Sequence, residues 1–137
     1  MIIHMPELLI ADEDKMSGKR MADLFTEAGY QVTVTNSAAG ALSGSLKKTA
    51  QVILLSTRFD ELLATELIPL LKQCNRDLNI ILIANEAPLA LIRKARSEGI
   101  FYHALKPSQP SDEDELRQAV KCAFEKMTHN PAVESLQ

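Results

Sequence analysis

The sequence predicts an α/β fold, a three-layer α/β/α sandwich built on one parallel five-stranded sheet. Three observations lead there. Short apolar runs alternate with amphipathic stretches at regular intervals, giving five strand candidates interleaved with five helix candidates. Three of those runs are almost continuously aliphatic, which suits parallel strands covered on both faces. The chain, at 137 residues, is long enough for one domain with a proper core.

The first strand is "ELLIA" (7–11). In "KMSGKRMADLFTEAG", Met16, Arg20, Met21, Leu24 and Phe25 recur at helical spacing, while Lys15, Lys19, Asp23 and Glu27 take the other face. Gly29 follows where a helix end favours a residue that tolerates a left-handed backbone. "QVTVT" (31–35) is the second strand, and a second helix is expected near 37–48 against the preferences of Gly40, Ser43, Gly44 and Ser45. "QVILLS" (51–56) is the third strand. The third helix, near 61–74, contains Pro69 and must therefore kink there or start late. "NIILIA" (79–84), a helix near 87–98, "FYHAL" (101–105) and a helix near 112–127 complete the series. Ser111 is placed to cap that last helix, and Asp112, Glu113, Asp114 and Glu115 put negative charge where the helix dipole is positive. The domain is expected to span 1–127, with 128–137 a disordered tail.

Composition narrows the function. A net charge of −3 and few aromatics (4%, no Trp) argue against nucleic acid and against an anionic membrane surface. Cys74 and Cys122 have no metal-ligand spacing and read as reduced thiols. The N-terminus has no basic region ahead of a long apolar run, and no run approaches the ~20 residues of a membrane span. A cytoplasmic location is expected.

Right-handed crossovers put helices on both faces of such a sheet and the working site at the carboxyl ends of its strands. The first strand ends in Asp12, Glu13 and Asp14, the third at Ser56, the fourth at Ala84, and the fifth runs into Lys106 and Pro107. In this order and spacing the chain resembles a two-component response-regulator receiver domain over about residues 6 to 127. "LLIADED" is similar to that family's hydrophobic strand ending in an acidic pair. "SEGIFYHALKP" is similar to its segment of small residues and an aromatic leading to Lys-Pro.

The resemblance implies a flavodoxin-like, doubly wound sheet with strand order 2-1-3-4-5. It also implies a phosphoryl group passed from a histidine kinase to an aspartate at the end of the third strand. Mg²⁺ held by the acidic pair and the acceptor would offset its charge, and a lysine would contact it. A Ser or Thr after strand four and an aromatic on strand five would form the switch. Carried over by position, the acidic pair falls on Asp12 and Glu13 and the lysine on Lys106. The acceptor falls on Ser56, the hydroxyl switch on Ala84 and the aromatic switch on His103, and all three depart from the family pattern.

A serine hydroxyl cannot form the acyl phosphate that a carboxylate forms, and no general base beside it is evident. Its loss as a ligand leaves no cofactor expected, beyond a weak Mg²⁺ site at Asp12 and Glu13. Lys106 also has a plainer role, neutralising carboxylates that would otherwise repel across the strand ends. His103 could titrate near neutrality, but a half-buried histidine with a satisfied hydrogen bond is the simpler reading.

The expected function is a non-enzymatic, receiver-like signalling module that binds a protein partner in trans without phosphorylation. In the family, the face made by helix four, strand five and helix five receives dimer or output partners. Leu89, Ile92, Arg93 and Arg96 would lie there, with a homodimer as one form. Two other readings stay open. One is an ion-dependent binding or enzymatic domain on the same fold, against which stands the absence of a glycine-rich phosphate loop. The other is a conventional phosphorylated regulator using another acid such as Asp60, although a loop position past the strand end would point elsewhere.

Overall fold

The aliphatic runs form the centre of the sheet, and alternate residues along each strand feed two separate cores. A computed structural model describes residues 6–59 and 62–128. Its elements are β1 (Glu7–Ala11), α1 (Lys15–Glu27), β2 (Gln31–Thr35), α2 (Ala38–Leu46), β3 (Val52–Ser56), α3 (Ala64–Cys74), β4 (Asn79–Ile83), α4 (Leu89–Ser97), β5 (Tyr102–Ala104) and α5 (Pro110–Thr128). All pairings are parallel and the order is β2-β1-β3-β4-β5, so the expected doubly wound, flavodoxin-like architecture is the one present.

Leu8, Ile10, Val52 and Leu54 face one layer, where they pack with Met21 and Phe25 of α1 and Leu116 and Val120 of α5. Leu9, Ala11, Ile53 and Leu55 face the other, with Ala41 of α2, Leu67, Ile68 and Leu71 of α3 and Ala95 of α4. β3 is buried throughout, while the edge strand β2 leaves Val34 partly in solvent.

The helix-poor composition of α2 has a packing cause. A Cβ at Gly44 would stand 2.9 Å from Leu9 Cδ2 on β1, and one at Gly40 would run into Thr35 Oγ1. Small residues let this short helix lie close on the sheet. Ser37 caps it, its hydroxyl accepting the Gly40 N–H at 3.0 Å.

One helix start takes an expected alternative and another differs from expectation. α3 starts late, at Ala64, with the Glu66 carboxylate accepting the Leu63 N–H at 3.3 Å, and Pro69 remains inside it. α5 starts before Ser111 rather than being capped by it. Pro110 takes the first helical position, where a fixed φ suits and a missing N–H is harmless. The Gln109 carbonyl accepts from Asp112 and Glu113, while the Asp112 carboxylate reaches back to the Ser108 N–H and hydroxyl at 3.3 and 3.0 Å. The expected tail, 128–137, lies outside the described residues apart from Thr128 at the end of α5. Among the described residues no helix is long and apolar enough to cross a membrane.

In an unobstructed helix, Gly→Ala stabilises by about 1 kcal/mol. Gly40→Ala is expected to do the reverse and lower the urea midpoint, because Thr35 occupies the space for the new methyl group. A raised midpoint would mean that α2 does not pack this tightly.

Candidate functional site

The parallel register brings the strand ends to one level. Ala11 pairs with Leu55 and Ser56 with Ile83, and Ile83 with Ala104, so Asp12 follows β1 beside Ser56 and Lys106 follows β5. Asp12 is 1% exposed, its own N–H still tied to the Thr35 carbonyl of β2 at 3.0 Å. Its Oδ1 accepts the Asp14 N–H at 3.0 Å and meets the Lys106 ammonium at 3.4 Å. Asp14 in turn caps α1, accepting the Met16 and Ser17 N–H groups at 2.9 and 3.3 Å. Lys106 is positioned through its backbone, whose N–H donates to Asn85 Oδ1 at 2.7 Å just past β4.

Two polar atoms stand apart from this network. Asp12 Oδ2 and Ser56 Oγ are both buried and have no hydrogen-bond partner among the described residues. Both residues border a cavity of about 140 Å³, shared with Glu13, Asp14, Thr57, Arg58 and Lys106. The cavity therefore gathers Asp12, Glu13, Ser56 and Lys106, the acidic pair, acceptor position and lysine singled out from the sequence, but not Ala84. Among the described residues Ser56 has no base within hydrogen-bond reach to activate its hydroxyl as a nucleophile.

Ala84 and His103 do not border that cavity. Ala84 is buried and carries no hydroxyl, and half-buried His103 donates from Nε2 to the Ala84 carbonyl at 3.2 Å. On α4, Leu89 is 62% exposed, Arg93 and Arg96 are exposed, and Ile92 is half-buried. Tyr102 on β5 donates its hydroxyl to Glu115 of α5 at 3.2 Å. Its phenol is held above the usual value by desolvation first and then by the Glu115 carboxylate. Asp60 lies outside the described residues.

Sequence reasoning passed over Thr57, Arg58 and Asn85. Arg58 sits in a loop with no periodicity to mark it. It becomes visible only when the chain folds back, with an antiparallel bridge between Arg58 and Leu63 and the Ala64 N–H on the Thr57 carbonyl at 2.8 Å.

Mg²⁺, which a receiver-like pocket implies, needs near-octahedral oxygen ligation with enough carboxylates to draw it from water. Here one buried carboxylate, an exposed Glu13 and a serine hydroxyl share the cavity with two cationic side chains. Asp14 is engaged at the helix cap. Among the described residues no group of three or more His, Cys, Asp or Glu converges as a metal site. The residues present do not fit a resident Mg²⁺.

Residues 8–121 match the family described as the response regulator receiver domain. No curated protein matches the chain. Among solved structures, the chain is similar to a CheY-like receiver domain protein from Methanospirillum hungatei, at 17% identity and TM-score 0.82, covering 93% of this chain and 100% of that one. It is also similar to the signal receiver domain of an HD domain-containing protein from Pseudomonas fluorescens, at 23% identity and TM-score 0.84, covering 93% and 100%. A third is the signal receiver domain of a modulated diguanylate cyclase from Desulfovibrio desulfuricans, at 21% identity and TM-score 0.77, covering 90% and 96%. At these identities the likeness concerns the fold.

Lys106 and Ser56 should respond oppositely to truncation. Lys106→Ala leaves Asp12 charged and uncompensated, and is expected to cost about 1–3 kcal/mol in urea denaturation. Ser56→Ala deletes a hydroxyl without a partner and should be neutral or stabilising by up to about 1 kcal/mol. A clearly destabilising Ser56→Ala would show that this hydroxyl is hydrogen-bonded in solution.

Proposed function

We propose, from the premise that this chain belongs to the response regulator receiver domain family, that it is a signalling module whose pocket accepts no phosphoryl group. It acts by binding a protein partner in trans. The observation that carries this reading is Ser56, a buried neutral hydroxyl without a partner at the end of β3, in the same cavity as Asp12 and Lys106. An acyl phosphate needs a carboxylate there. The donor set does not fit the divalent ion that would offset the charge of phosphoryl transfer. Ala84 offers no hydroxyl to a phosphoryl group, and His103 is already hydrogen-bonded to the Ala84 carbonyl. These features support a binding module rather than an enzyme.

The partner we favour is a second copy. Leu89 stands out on α4 beside exposed Arg93 and Arg96, while α5 carries exposed Asp114 and Glu115. A two-fold axis that lays α4 of one copy against α5 of the other brings basic and acidic faces together twice, as an isologous interface requires.

Intact mass after incubation with a small acyl-phosphate donor and a large excess of Mg²⁺ tests the first half. The parent should gain no phosphoryl mass under conditions that label an ordinary receiver domain, whereas Ser56→Asp should gain it. Labelling of the parent would sink the proposal. Sedimentation velocity tests the second half. The parent should associate with rising concentration, and Leu89→Glu or the pair Arg93→Glu with Arg96→Glu should not. A parent that stays monomeric throughout refutes the self-association.

A further inference from the structure

The acidic pocket holds more negative charge than its one ion pair neutralises. Asp12, Glu13 and Asp14 border the cavity of about 140 Å³, and two cationic side chains, Lys106 and Arg58, border it with them. Lys106 answers only Oδ1 of Asp12, at 3.4 Å. Oδ2 is buried in a residue 1% exposed and has no donor among the described residues. A carboxylate oxygen so placed calls for one, because an unmet buried acceptor is a standing penalty.

Arg58, an exposed residue bordering the same cavity, is the cation there besides Lys106, and no hydrogen bond joins it to Oδ2. Among the described residues it makes no ion pair of its own. Its backbone is held on both sides: β3 ends at Ser56, Phe59 is 1% exposed in the core, and the bridge to Leu63 closes the loop. The Phe59 N–H donates to the Leu62 carbonyl at 2.8 Å. A guanidinium on a long stem, with a planar fork of N–H donors, suits a carboxylate, keeps its charge at any working pH, and sheds water more readily than an ammonium.

We propose that Arg58 is the pocket's built-in counter-cation: together with Lys106 it supplies the positive charge that a divalent ion would bring, and so makes the site refuse divalent ions. The inference rests on the pocket being one that accepts no phosphoryl group. Neutral Ser56 and cationic Arg58 then act in the same direction. The first removes a ligand, and the second opposes any ion that would bind the acids that remain.

Mn²⁺, followed by the electron paramagnetic resonance of the free ion, is the probe. The parent should leave it free. Ser56→Asp, which restores a carboxylate, should bind it weakly. Adding Arg58→Gln to Ser56→Asp should tighten binding on the order of tenfold, the size of relieving one charge beside a divalent ion in a partly solvated site. Ser56→Asp with Arg58→Lys should bind no tighter than Ser56→Asp alone. Far-UV circular dichroism establishes that each variant is folded.

Should the Gln double variant fail to fold, Arg58→Gln in the parent background carries the comparison. Mn²⁺ would then broaden the Asp12 and Ser56 amide resonances of the variant and spare those of the parent. Equal affinity of Ser56→Asp with and without Arg58→Gln, or tight binding by the parent, overturns the role of Arg58. Phosphoryl labelling of the parent would overturn the function reading instead and leave this affinity ratio standing, so the two failures are distinct.

Discussion

A single oxygen, Asp12 Oδ1, ties together the carboxyl ends of the sheet. It accepts the Asp14 N–H, which sets up the cap of α1, and it meets the Lys106 ammonium arriving from beyond β5. Lys106 is in turn anchored by Asn85 past β4. Burying a carboxylate this deeply is unfavourable unless a cation and hydrogen bonds compensate it. The ion pair and the Asp14 amide provide that compensation, so the positions of α1 and of the segment after β5 depend on one charge being met.

That constraint makes sense of a neutral residue at the end of β3. The register places position 56 beside Asp12, and a second carboxylate there would stand next to the first with Lys106 as their shared neighbour. Like charges so close resist joint ionisation unless an ion is brought in. With serine the repulsion is absent. The acids that remain are exposed Glu13, capping Asp14, and Asp12 itself, already paired through one oxygen. On the proposal above, Ser56 and Arg58 would belong to one solution: fewer acids and one more cation at the edge of the cavity.

The fold was legible because strands covered on both faces announce themselves as unbroken aliphatic runs, and β1, β3 and β4 are such runs. The strand-end residues were legible for the same reason, since a parallel sheet delivers its carboxyl ends to one place. What was not legible depended on close approach. Gly40 and Gly44 oppose helix by propensity, and only the nearness of Thr35 and Leu9 explains them. Ser111 looked like a cap because the acidic run begins after it, yet Pro110 fits the first turn better and Gln109 supplies the carbonyl. Arg58 lay in a loop without period, and its place at the cavity follows from a chain reversal anchored by buried Phe59.

A covalent switch works by giving one of two conformations a large differential interaction energy, and a pocket that takes no phosphoryl group lacks that input. The groups that would answer such an input are also already engaged or missing. His103 is bonded to the Ala84 carbonyl, and the Ala84 side chain has no donor. On the proposed reading, regulation would come from the other variable in a binding equilibrium, the amounts of the chain and its partner. For an isologous pair this dependence is steep, because dimer concentration rises with the square of free monomer. On the proposed reading, such a receiver domain would report its own abundance, with its surface rather than its pocket setting the threshold.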